Sequence, residues 1–145
     1  MRNAIGGTWL FGLVATFIVL MSGFLAISIN YHKAYLVRSD LIDMIEQREH
    51  YDAEIVDNYF NQAGNFATGR CPDLEEYGKS LSSKNANGKS RYCVYYRNAD
   101  DDTNIPKAYY KVNVFFKIDL PVIRSIFTMR VPGTTKIVWD FATRR

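Results

Sequence analysis

The stretch Gly6–Tyr35, GGTWLFGLVATFIVLMSGFLAISINYHKAY, decides how the rest of the chain is read. From Asn3 to Tyr31 there is no Asp, Glu, Lys or Arg, whereas charge of both signs is frequent afterwards. Trp9–Ile29 is 21 residues of almost wholly apolar sequence. At ~1.5 Å rise per residue a helix over it covers roughly 30 Å, the thickness of a bilayer core. A secretory signal has an apolar region of only about 7–15 residues, closed by a small-residue cleavage site. Here the run leads instead into INYHKAYLVRSDLIDMIEQ, which has helical character. The sequence therefore predicts a retained transmembrane helix over 8–31 rather than a cleaved signal, with residues 1–7 as a short cytoplasmic N-terminus. Trp9 at one end and Tyr31 and Tyr35 at the other suit the two interfaces, where amphipathic rings prefer to sit.

Within the span Gly12, Thr16 and Gly23 fall near one helical face. Small residues let helices approach closely in lipid, so this face is a candidate for packing on a partner helix. The bland alternative is that glycine is simply common in membrane helices. No strict GxxxG is present.

Past the span, Val37, Leu41, Met44 and Ile45 recur at helical spacing, with Asp40, Asp43 and Glu46 turned away. This predicts an amphipathic stalk helix over 32–50. Arg48 and Asp52 then interrupt the apolar stripe. Either they pair at i,i+4 or the helix breaks there. The reading adopted is a break, with Asp52 as N-cap of a short second helix whose apolar face is Ile55, Val56, Tyr59, Phe60 and Ala63, ended by Gly64.

Cys71 and Cys93 are the only cysteines and fit no compact metal-binding set. A disulfide between them is the expected reading for a domain outside the cytoplasm, and on the chain-entropy picture it contributes roughly 3 kcal/mol. The rival is a pair of buried thiols in a cytoplasmic domain. Flanking charge is nearly silent on orientation, so the cysteines set it: N-terminus inside, residues 51–145 outside as an α+β domain. Within the bracketed loop, GKSLSSKNANGKS is polar, rich in turn formers and expected to be exposed and mobile. SRYCVYYRN reads as one strand. KAYYKVNVFFKIDLP alternates, with Tyr110, Val112, Val114, Phe116, Ile118 and Leu120 on a buried face and Lys111, Asn113, Lys117 and Asp119 on a wet one. VIRSIF suggests a helical turn, and TMRVPGTTKIVWDF one or two further strands with Pro132-Gly133 as a turn. The predicted fold class is thus α+β: one membrane helix running on as a stalk, then a small disulfide-linked antiparallel sheet of three or four strands with a short helix packed on it.

The net charge of +3 is scattered, and no basic run interleaves with aromatics, which excludes nucleic acid as the expected partner. His32 and His50 lack a nucleophile or carboxylate at motif spacing, and there is no nucleophile elbow, HExxH, P-loop or dinucleotide fingerprint. The expectation is a non-enzyme with no cofactor, metal or small-molecule substrate. Asp100, Asp102 and Asn104 mimic the start of a calcium loop, but Ile105 and Lys111 stand where that loop needs Gly and Glu, so a solvated hairpin loop is favoured.

Gly6–Tyr35, the short helix before GNFATGRC, and the ending FFKIDLPVIRSIFTMRVPGTTKIV together resemble the TadE/TadF-like group of pilin-like membrane proteins, or pseudopilins, of bacterial tight-adherence filament systems. The resemblance covers most of the chain and is mostly architectural. It implies a minor subunit of a surface filament or secretion apparatus in the bacterial cell membrane, with other pilin-like subunits and a membrane assembly platform as partners. In such chains a small residue precedes the prepilin-type cleavage point, which makes Gly7–Thr8 the candidate bond here, although the Glu that accompanies such a site is missing. Gly12 stands where such chains carry Glu, which points to a minor, initiating or membrane-retained component rather than a major subunit. A single-pass anchored binding module, using the loop Gly78–Arg91, is the alternative.

Overall fold

The computed structural model describes residues 2–63, 68–99, 107–118 and 127–140, with the side chains of residues 2–5, 63, 118 and 127 excepted. Two helices, α1 (Arg2–Arg48) and α2 (Ala53–Ala63), precede four strands: β1 (Tyr92–Asn98), β2 (Lys107–Ile118), β3 (Phe127–Thr134) and β4 (Val138–Trp139). The expected α+β class is what the chain adopts. Helix α1 ends at a break: Glu49 takes φ of 59°, and Asp52 Oδ1 accepts from the Glu54 and Ile55 amides as the N-cap of α2.

The sheet is antiparallel, with β2 central between β1 and the pair β3 and β4. Thr134 pairs with Lys111 and Val138 with Ala108. One extra residue is therefore accommodated between β3 and β4, as in a β-bulge. The Thr135 amide donates to the Tyr110 carbonyl and its Oγ1 accepts from the Tyr110 amide, both at 2.9 Å, so the backbone groups at this bulge stay satisfied.

The apolar stripe of residues 32–50 is an inner wall of the domain. Val37, Leu41 and Ile45 share one core with Val56 and Phe60 of α2 and with Tyr92, Val94, Tyr110, Val112, Val114 and Val138 of the sheet. Phe60 stacks on Tyr92 with ring centroids 4.6 Å apart. Ala34 packs with Phe116 and Val131, extending the contact toward the apolar segment. Burying each such aliphatic side chain is worth about 1.5–3 kcal/mol, so the sheet and the second half of α1 stabilise one another.

Three expectations change. Pro132-Gly133 is not a turn; both residues lie inside β3, paired with Asn113 and Val112. Pro132 is tolerated because β3 lies at the sheet edge, where a missing amide donor breaks no ladder. Gly133 is needed because α1 crosses there: a Cβ would stand 2.7 Å from Ile42 Cδ1 and 2.8 Å from Arg38 Cδ. The outer sheet face is also not uniformly wet. Asn113 and Phe115 are buried, and Phe115 forms a second cluster with Cys93 and Tyr95, covered by Cys71, Leu74 and Tyr77. Finally, the polar loop is stitched to the sheet edge. The Leu81 amide donates to the Val94 carbonyl at 2.8 Å, and Gly69 and Ser90 exchange amide–carbonyl bonds at 2.9 Å. The Asp100–Asn104 motif, the Gly64 cap and the VIRSIF turn lie outside the described residues.

Candidate assembly surface

Helix α1 is long and apolar enough to cross a membrane, and its most apolar part is not buried against the other described residues. Trp9, near one end, and Tyr31 and Tyr35, near the other, are exposed. They lie 22 and 26 positions apart, roughly 33 and 39 Å along a straight helix. Tyr31 also meets Phe116 edge to face at 6.1 Å, and the Arg38 guanidinium lies 4.3 Å over the Tyr35 ring. Of the expected interface anchors, Tyr31 and Tyr35 therefore coincide with the point where the sheet first meets the helix, and Trp9 lies at the far end.

Gly12 and Thr16 come together. Both line a shallow apolar groove along α1, with Trp9, Leu13, Phe17 and Leu20 as its walls. The Thr16 hydroxyl donates back to the Gly12 carbonyl at 2.9 Å, which satisfies its polarity within the helix. Open space surrounds the Gly12 Cα, so a partner helix can approach there without displacing anything. Gly23 lies farther along α1, outside this groove. The Gly7–Thr8 bond is inside α1, and both residues are exposed.

Cys71 and Cys93 form the disulfide, closing a loop with sequence separation 22. Cys93 is fully buried beneath that loop, which the bond holds over the outer face of the sheet. Gly69 is the close point of this packing, since any Cβ there would overlap the Phe115 ring. Gly78 and Gly88 supply positive φ, 71° and 69°, at the two tight turns of the loop.

Polar contacts fasten α2 and the loop to this frame. The buried Tyr92 hydroxyl donates to Asp57 Oδ1 at 2.8 Å and lies 3.0 Å from the Tyr51 hydroxyl, while Ser83 donates to the other Asp57 oxygen at 2.5 Å. Tyr59 donates to Asp40 of α1 at 2.7 Å. Burial pushes the Tyr51 phenol up to about 12, against the opposing effect of the Tyr92 hydroxyl. Burial, then the bond to Asp40, pushes Tyr59 up to about 12. Burial and then the neighbouring Tyr51 and Asp57 hold Tyr92 still further above the ordinary tyrosine range.

Residues missed by sequence reading are those whose role depends on the crossing of α1 over the sheet. Glu46 accepts from the Lys136 amide at 2.8 Å and faces its ammonium at 3.8 Å, gripping the bulge between β3 and β4. Arg38 donates to the Pro132 carbonyl at 2.9 Å. A polar position on the outer side of a stalk gives no sequence signal for either contact. On the far face, Arg97 lies 5.8 Å from the ring centroids of both Tyr77 and Tyr109, and Lys111 5.2 Å from that of Tyr77. Among the described residues no cluster of three or more His, Cys, Asp or Glu could hold a metal ion. No known family model, curated protein or solved structure matches this chain.

Proposed function

We propose that this chain is a non-enzymatic, pilin-like minor subunit or pseudopilin of a bacterial filament or secretion apparatus, held in the membrane as a single-pass protein with its sheet domain outside. The observation that carries the reading is the continuity of α1 from an exposed apolar segment into the core of the sheet domain. A tethered binding module needs only a flexible link between anchor and head. A subunit that passes packing forces from a helical bundle to a surface array needs the two fixed to each other, as they are here. The Gly12–Thr16 groove is the contact for a neighbouring helix of the assembly.

Cysteine placed at Gly12 or Thr16 will crosslink to a neighbouring pilin-like helix in native membranes, whereas cysteine at Val14, about 200° around the helix from Gly12, will not. The protein will also appear in sheared filament fractions or co-purify with a membrane assembly platform. Purification from the membrane only as an isolated monomer, without face-specific crosslinks, would sink the reading in favour of an anchored binding module.

A further inference from the structure

One end of the outer sheet face holds a cation-lined hollow that the assembly reading does not use. Arg70, Lys89 and Arg130 line it together with the hydroxyl-bearing Thr68 and Thr128, and the Phe115 ring forms its base. Among the described residues no carboxylate lines it. Burial raises the Tyr95 phenol against the lowering effect of Arg130, and Asp73, which adds to the rise, lies outside the hollow.

The strand register fixes where this hollow lies along α1. Val131 packs with Ala34, Arg38 bonds to Pro132, and Glu46 bonds to Lys136. Strand β3 thus climbs beside α1 away from the apolar segment. Thr128, Met129 and Arg130 precede Val131 and lie on the side facing that segment, near the level where Tyr31 meets Phe116. Lys117 pairs with Thr128 and is exposed at the same end, as are His32 and Lys33 of α1 and the thioether of Met129. An apolar helix, an interface tyrosine, an exposed methionine and a basic hollow therefore share one level.

We infer that this hollow binds the phosphate of an anionic phospholipid headgroup in the bilayer that α1 crosses. Two guanidinium groups match phosphate oxygens bidentately, the Lys89 ammonium adds a point charge, and the threonine hydroxyls donate the remaining hydrogen bonds. Anionic lipid is favoured over a soluble anion because the hollow lies at the end of the sheet where Tyr31 meets Phe116, the level at which a charged leaflet would concentrate its headgroups. The inference rests on the membrane reading of α1. It would set the tilt of the sheet domain by fixing one edge to the bilayer surface.

The test uses the full chain in neutral detergent, with lipid retention read by native mass spectrometry. Phosphatidylglycerol, phosphatidylcholine and inorganic phosphate are titrated separately. Phosphatidylglycerol is expected to be retained over phosphatidylcholine, with retention falling about five-fold for each of Lys89→Gln and Arg130→Gln. Arg70→Gln serves as a third variant should either of these misfold, judged by near-UV circular dichroism and an intact Cys71–Cys93 bond. Equal retention of the two lipids, or retention unchanged in the folded variants, overturns the inference. Displacement of phosphatidylglycerol by millimolar inorganic phosphate would reassign the hollow to a soluble anion and overturn it as well. Alkaline carbonate extraction of the wild-type chain from cell membranes separately tests the anchor reading, so the two failures are told apart.

Discussion

Gly133 of β3 lies against Arg38 of α1 so closely that a single added Cβ would come within 2.8 Å of the arginine Cδ. The same contact admits the Arg38 hydrogen bond to Pro132. Gly133→Ala should therefore displace the Ile42 and Arg38 side chains and disturb that bond. The expected cost is about 1–3 kcal/mol, typical of overpacking. Thermal melting in detergent, followed by near-UV circular dichroism, should show a clear drop in Tm. An unchanged melt would mean that the crossing relaxes freely.

Leu41 is completely buried between α1, α2 and the sheet. Leu41→Ala is expected to cost about 2–5 kcal/mol, as large-to-small changes in a core do. The same change at Leu20, which faces outward from the apolar segment, should leave the melt of the sheet domain in place. Equal effects at both positions would contradict a core built from only the second half of α1.

Glu46 holds the bulge through the Lys136 amide, and its side chain is about three-quarters shielded. Glu46→Ala is expected to cost about 1–2 kcal/mol, chiefly from the charge-assisted amide bond rather than from the exposed Lys136 ammonium. Lys136→Ala keeps that amide and should cost under about 1 kcal/mol. Amide hydrogen exchange at Lys136 should accelerate in the first variant and not in the second.

The disulfide ties the outer covering loop to β1. Replacing both Cys71 and Cys93 by serine should lower stability by about 3 kcal/mol, the loop-closure contribution for a loop of this length. It should also loosen the cluster around Phe115. In the native protein, alkylation should label neither cysteine until a reductant is added; labelling without reductant would show that the bond does not form in the cell.

Tyr51 and Tyr59 set an alkaline limit. Both keep their protons to about 12 in the folded chain, against an ordinary value near 10. The unfolded chain releases these protons first as pH rises, so their contribution is fully present below pH 10 and is lost between about 10 and 12. Denaturant midpoints should therefore fall across that window, with tyrosinate absorbance rising at its upper end. Tyr59→Phe should flatten the fall.

Sequence alone determined much of this protein. The charge-free run to Tyr31 identified a helix able to span a bilayer, and the interruption at Arg48 and Asp52 marked its end. Alternation in KAYYKVNVFFK announced the central strand, and two lone cysteines announced their bond. These are local or compositional signals, set by periodicity, capping chemistry and pairing by elimination. Tertiary structure decided what depends on the crossing of distant elements. It made the stripe from Val37 to Ile45 a core wall, drew Pro132-Gly133 into an edge strand, and buried Asn113 and Phe115 beneath the disulfide-tied loop. It also gave Glu46 a backbone partner 90 positions away. Helical spacing reveals that a stripe will be covered. What covers it is set by the register of a sheet whose strands lie far along the chain.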